Sequence, residues 1–418
     1  MLRDYNIEER FWLWMNKSIG DNVKAFDALI EHYGSASEVF RHAANKKLRS
    51  VDGVRGDVID RLTKHASERL IDNFITSLDE KKVLAVTRIS DDYPYLLSEI
   101  YDPPSVLYYR GRMQRDFILP LAMIGSRECS TSSLQLARLL AHYLAERGAT
   151  IVSGMALGID GAASWGALDS LTNEMPTIAV LGSGVDVIYP FKNTSLYHKI
   201  VERGCVISEY APGAPVAKIK FPKRNRIISG LSKGVIVVEA GAKSGTNITV
   251  NFALEQGRDV FSLPGRMNDE KCLGSNKLIQ DNVAKPVFRI NDILEEYGME
   301  CNPEEQAAIH ARIKQGSKRK MLLPHGKAND EPPRKQQRKV VPQKEQSKES
   351  HDGKENKRLP QISGEQKIIY ELLADGEKTF DEMCEITGYA AGFLNNLLTE
   401  MEISQIILQS AGRLYSLR

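Results

Sequence analysis

Between Leu119 and Gly265 the chain reads LPLAMIGSR (119–127), SLQLARLLAHYLAERG (133–148), ATIVSG (149–154), IDGAASWGALDS (159–170), TIAVLGSG (177–184), CVISEY (205–210), RIISGLS (226–232), GVIVVEA (234–240), ITVNFALEQG (248–257) and DVFSLPG (259–265). Short apolar runs alternate with longer amphipathic ones, strand and helix in turn. Parallel strands need crossover connections, and helices supply them while covering both sheet faces. The pattern therefore predicts an α/β fold, a Rossmann-like parallel sheet core.

Outward from this core the composition changes. Residues 82–111 hold a strand-like VLAVTRI and the turn-rich DDYPYLL and YDPPSVLYYRG, an entrance to the sheet. Residues 1–80 read as a helical domain. Within it Ser50–Ile59 carries a G-h-x-G turn, which suits a helix-hairpin-helix phosphate contact and equally the end of one helix and the start of the next. Residues 301–361, rich in Lys, Gln, Glu, Ser and Pro, read as a disordered charged linker, with Arg334–Lys339 a solvated charge run. Residues 362–418 order as helices GEQKIIYELLAD, TFDEMCEITG and AAGFLNNLLTEMEI and a hairpin from IILQS and RLYSL, a small C-terminal winged-helix domain. Four basic against nine acidic residues there repel phosphates, so this module is expected to bind protein.

The 418 residues carry 56 Lys and Arg against 54 Asp and Glu, a net charge of +2, so any nucleic-acid affinity must come from local clusters. Five dispersed cysteines without a C-x-x-C pair exclude a disulfide framework or zinc site and suit a reducing cytoplasm. No secretory leader and no unbroken apolar run of about eighteen residues is present, which leads us to expect a soluble, cytoplasmic protein without membrane contact. Walker and H-E-x-x-H motifs are missing, and GSGVDV lacks the third glycine of a dinucleotide fingerprint. We expect neither a metal nor a cofactor.

In an open parallel sheet ligands meet the carboxyl ends of the strands, where helix N-termini offer amide donors. Arg127 after the first core strand, Ser153 and Gly154 after the second, and Ser244, Gly245 and Thr246 after a later one all fall at such ends. Singly, the serines read as helix caps and the glycines as turns; Arg127 with several such loops reads as a phosphate site. The run Lys218–Arg226 interleaves Phe221 with Lys223, Arg224 and Arg226 ahead of an apolar helix, and Phe191 with Lys192 repeats the pairing of ring and cation. Cations on phosphates and rings under bases are what a single strand requires. Asp160, Glu209, Glu239 and Glu255 are the carboxylates that a competing reading, a Rossmann-like nucleotide-binding enzyme of the N-glycosidic hydrolase type, would use; they equally cap helices or anchor arginines, and no catalytic residue is assigned.

Together, YPYLLSEIYDPPSVLYYRG, GSR, SGMALGID, TIAVLGSGVDVIYP, SEYAPG, FPKRNRIISGLSKGVIVVEA, SGTNIT and GRDVFSLPG, in this order across residues 82–296, resemble the DNA-processing protein A family (DprA, also called Smf). The resemblance implies a homodimeric single-stranded DNA-binding protein that loads a RecA-type recombinase onto incoming DNA in natural transformation, and not an enzyme. It places a phosphate-contacting arginine at Arg127 and a lysine after Tyr-Pro at Lys192, with Lys223, Arg224 and Arg226 in the same groove. The chain departs from the family pattern at Leu157, where a basic residue is common, at Ser164, where the family usually has His, and at Asn282, where a glycine closes a turn near the family's dimer and recombinase surfaces.

Overall fold

The apolar runs of the core become strands whose alternate residues enter opposite faces. Leu121 and Met123 join one buried cluster and Ala122 and Ile124 another, as a period of two demands. The computed structural model describes residues 3–302, isolated positions from 304 to 311, and parts of 364–417. The linker expected over 301–361 lies almost wholly outside these residues, Arg334–Lys339 included.

Nine strands form the main sheet: β1 Leu84–Thr87, β2 Val106–Gly111, β3 Leu119–Ile124, β4 Ala149–Ser153, β5 Thr177–Val180, β6 Cys205–Ser208, β7 Gly234–Val237, β8 Asp259–Ser262 and β9 Lys285–Pro286. Their spatial order is β1-β2-β6-β5-β4-β3-β7-β8-β9. From β6 to β9 every pairing is parallel, while β2 runs antiparallel to β6 and β1 to β2. The parallel sheet read from sequence is thus extended by an antiparallel edge. The chain winds outward from β3 through β4, β5 and β6, then returns to lay β7 on the other side of β3. That reversal opens a crevice between the loops leaving β3 and β7.

Five helices, α1 Ile7–Ile19, α2 Val23–Tyr33, α3 Ala36–Ala44, α4 Gly56–Lys64 and α5 Glu68–Glu80, precede the sheet. Asn6 and Glu9 close a capping box on α1. Trp12, Met15, Phe26 and Phe74 share one cluster with Tyr108, Val206 and Ile200, so the bundle is packed onto the antiparallel edge. Tyr108 donates to Asn16 Oδ1 at 2.8 Å, and Tyr5 accepts from the Ala85 amide at 3.0 Å. Further helices described in this unit are α6 Tyr95–Ser98, α7 Thr131–Ala145, α8 Ile159–Leu168, α9 Thr194–Arg203, α10 Lys220–Gly230, α11 Thr246–Glu255, α12 Leu273–Gln280 and α13 Asn291–Leu294. α7 and α8 cover one face of the core strands; α10 and α11 cover the other. At Asn282 the backbone is left-handed, φ +57°, a conformation Asn tolerates better than most residues, so the turn closes without glycine.

A second compact unit begins after Ala328. Its described parts are helices Gly364–Ala374 and Phe380–Thr387 and a three-stranded antiparallel sheet of Lys378–Thr379, Leu414–Leu417 and Ile407–Ser410. Ile407–Ser410 and Leu414–Leu417 form the expected hairpin. The expected third helix, 390–401, lies largely outside the described residues.

Candidate nucleic-acid interface

The crevice between β3 and β7 is a groove of about 500 Å³. Gly125, Ser126 and Arg127 come from the loop after β3, Ala156 and Asp160 from the loop after β4 and the start of α8, and Ser244, Gly245 and Thr246 from the loop into α11. Phe221, Pro222, Arg224, Asn225 and Ile228 complete it from α10. A narrower recess beside it is lined by Arg127, Gly154, Leu157, Tyr189, Phe221 and Arg224.

Close backbone packing fixes these loops. The Ser126 amide donates to the Glu239 carbonyl at 2.8 Å, tying the loop after β3 to that after β7. Gly158 has φ +82°, and a Cβ there would collide with the Ser126 carbonyl and lie 2.7 Å from that of Arg127. At Gly154 a Cβ would stand 2.5 Å from the Arg224 Cζ, so the guanidinium fills the space a side chain would take. Glu239 lies beneath, its carboxylate accepting from the Ser130 amide at 2.9 Å and from the Ser130 and Ser133 hydroxyls at 2.7 Å each. Ser130 caps α7 through its bond from the Ser133 amide, and Glu239, by holding that cap, holds the helix that follows Arg127.

Arg224 is 5% exposed and forms the floor. Its Nη1 donates to the Gly154 carbonyl at 3.0 Å and to that of Val180, and its Nε to Asn225 Oδ1 at 3.0 Å. Burial pushes the guanidinium down to about 10, against the opposing pull of Asp160, so it stays cationic at neutral pH. Asp160 accepts from the Gly154 amide at 3.1 Å. Burial raises its pKa; the Arg224 charge works the other way. Above this floor Arg127 is exposed, its Cζ 5.6 Å from the centroid of Phe221, and the Tyr189 ring lies 5.5 Å from Phe221 at an interplanar angle of 37°. A fixed cation and two rings therefore share one rim, over a floor that holds a buried cation and helix N-termini. This arrangement can take a phosphate and a base together.

A model of the DNA recombination-mediator protein A family matches residues 84–298. The chain belongs to this family. DNA processing protein DprA of Streptococcus pneumoniae is 43% identical over 227 residues, covering 54% of this chain and 79% of its own. Protein Smf of Synechocystis is 34% identical over 297 residues, covering 70% and 73%. The X-ray structure of DNA processing protein A from Streptococcus pneumoniae superposes with a TM-score of 0.59 at 34% identity, spanning 70% of this chain and 99% of that one.

Within this family framework, the residues singled out from sequence separate into two groups. Arg127, Gly154, Phe221, Arg224, Ser244, Gly245 and Thr246 meet around the groove and its recess. Five others are placed differently. Ser153 is fully buried and donates to the Met123 carbonyl at 3.0 Å. Arg226 is 2% exposed and pairs with Glu209 at 2.6 Å and Asp102 at 2.8 Å. Lys223 donates to the Asp21 carboxylate and carbonyl, both at 2.8 Å. Phe191, 84% exposed, and Lys192 stand on the turn after Tyr189-Pro190, outside the groove lining.

The reason for the split is helical. The basic run reads as a loop ahead of a helix, but α10 starts at Lys220 and takes Pro222 into its first turn, where a missing amide costs no bond. Phe221, Arg224, Asn225 and Ile228, at i, i+3, i+4 and i+7, face the groove; Lys223 and Arg226 do not. Arg226 and Ser153 are therefore placed in the core, and Lys223 against the bundle. Tyr189 and Asn225 were not among the expected contacts. Asn225 follows from the helical period; Tyr189 has no local signal that distinguishes it from Phe191. Of the carboxylates a hydrolase would need, Asp160, Glu209 and Glu239 hold the partners described above, and Glu255 is exposed at the end of α11. Among the described residues no helix is long and apolar enough to cross a membrane.

Proposed function

We propose that this chain binds single-stranded DNA in the β3/β7 groove and, as a homodimer in the cytoplasm, loads a RecA-type recombinase onto incoming strands during natural transformation. The observation that carries this reading is the exposed Arg127 guanidinium set over Phe221, with Tyr189 on the same ring, at the switch point of the sheet. A single strand offers phosphate and unstacked base side by side; a duplex hides the base faces. Membership of a recombination-mediator family supports the same reading.

Oligo-dT and the matching duplex, titrated against wild type and Arg127→Ala at two salt concentrations, test it. Two phosphates neutralised by Arg127 and Arg224 give a log affinity against log salt slope of about −1.4, and Arg127→Ala flattens it by about 0.7. Unchanged affinity and slope in the variant refute the groove assignment. A supershift or stimulated recombinase filament growth on the bound strand tests the loading step; its absence leaves a DNA-binding protein without that activity.

A further inference from the structure

Two walls of the groove carry its rings. One is the loop after β5, Gly182–Pro190, which carries Tyr189; the other is the first turn of α10, which carries Phe221. Each is tied to the helical bundle by a lysine–carboxylate pair. Asp186, in the Tyr189 loop, accepts from Lys81 Nζ at 2.9 Å and from the Gly213 amide at 2.6 Å, and Lys81 directly follows α5. Lys223, two residues after Phe221, reaches Asp21 in the turn between α1 and α2. Half-burial works to raise the Asp21 carboxyl, but the Lys223 hydrogen bond and charge hold it below its ordinary value. Asp186 is likewise low, its bonds to Gly213 and Lys81 outweighing burial. The bundle is itself seated on β1 and β2 through a continuous apolar core, so its two anchor points are fixed relative to the sheet.

Resting on the single-strand reading above, we propose that the N-terminal bundle is a positioning element of the groove: Lys223–Asp21 and Lys81–Asp186 hold the Phe221 and Tyr189 rings, 5.5 Å apart, together as one platform on which a base stacks. Lys223 then acts through α10 and not on a phosphate. Base stacking depends on the joint face that the two rings present, and a ring that shifts by an ångström loses its share of that contact. Phosphate attraction, in contrast, tolerates such a shift, because charge interactions fall off slowly with distance. The ties should therefore govern the stacking part of the affinity and leave the salt-dependent part alone.

A charge swap separates the two roles of Lys223. In the full chain, Asp21→Lys and Lys223→Asp are each expected to weaken binding of a 2-aminopurine-labelled oligo-dT about fivefold and to reduce the quenching that reports stacking; an exposed pair of this kind contributes up to about that factor. The double variant Asp21→Lys/Lys223→Asp should recover to within about twofold, since the pair re-forms with its charges exchanged. A direct phosphate contact predicts the reverse: Lys223→Asp and the swap equally weak, with the salt slope shallower. That result overturns the proposal, as does wild-type binding in every variant. Thermal melts check folding. Should the swap not fold, Asp21→Asn with Asp186→Asn, which keeps an acceptor for Gly213, decides: lost quenching at unchanged salt slope is expected, and unaltered quenching refutes the ties. Failure of wild type to bind at all sinks the single-strand reading, and the positioning role with it.

Discussion

Replacing Arg226 by Met tests the division of labour along α10. The guanidinium is 2% exposed and bonds Glu209, whose side chain is equally buried, and Asp102, which is 38% exposed. Loss of the cation leaves Asp102 solvated at little cost, but strands the Glu209 carboxylate in the core. Breaking a buried pair in this way costs about 3–5 kcal/mol. At roughly 2 °C per kcal/mol for a unit of this size, the melting temperature should drop by about 6–10 °C. The sign of the pH dependence is also fixed. Burial already raises the Glu209 pKa, and Arg226 is the chief charge opposing it. Without that opposition Glu209 rises further, so the folded variant keeps a proton that the unfolded chain releases above about 4.5. Stability then falls as pH rises through the folded value, and the deficit is larger at pH 8 than at pH 5. Arg226→Met combined with Glu209→Leu should recover most of the loss, because an apolar pair replaces a buried ionic one at little net cost. Differential scanning calorimetry at the two pH values gives the answer. An unchanged melting temperature accompanied by weakened DNA binding would show that Arg226 belongs to the groove after all.

Three further outcomes are expected. Gly158→Ala should destabilise the protein by about 1–3 kcal/mol by denaturant titration and displace the Arg127 loop, since both the left-handed φ and the carbonyls of Ser126 and Arg127 exclude a Cβ; tolerance of alanine with normal DNA affinity would contradict the packing described. Phe221→Leu keeps an apolar wall but removes the ring, and should weaken oligo-dT binding by about 1–3 kcal/mol at unchanged salt slope; a change in slope would mean the ring acts only by steering Arg127. Because Asp21 and Asp186 are both held below 3.8, their ties are complete above that value and are lost as pH falls through the folded values; 2-aminopurine quenching should therefore be flat from pH 5 to 8, and a decline within that range would assign the ties to other groups.

The alternation between Leu119 and Gly265 contains the fold because a parallel sheet buried on both faces leaves continuous apolar runs that nothing else in the chain imitates. Arg127 and the Ser244–Thr246 loop were legible for a related reason: each ends such a run, and strand ends are where this topology collects its ligands. What sequence could not convey was the phase of α10. Lys223, Arg224 and Arg226 are neighbours in a row of cations, yet a hundred degrees of rotation per residue sends one to the bundle, one to the groove floor and one into the core. Pro222 concealed the helix start, since proline fits a first turn as well as it fits a loop. The Tyr189–Phe221 contact joins segments over thirty residues apart and depends on the register of β5 against β6, which no local pattern encodes.

The return of the chain to β3 also has a consequence for how the protein is made. Leu121 pairs with Ile151 on one side and with Gly234 on the other, and the second partner is synthesised more than a hundred residues later. Until β7 emerges, β3, an interior strand of the finished sheet, is an edge, with its amides and carbonyls open to any other extended chain. The groove shares that delay, because its second half hangs from β7. A polypeptide arrested before about residue 250 thus carries Arg127 and the bundle but no place to bring a strand, and its sticky edge makes it a client for chaperones rather than a partial binder.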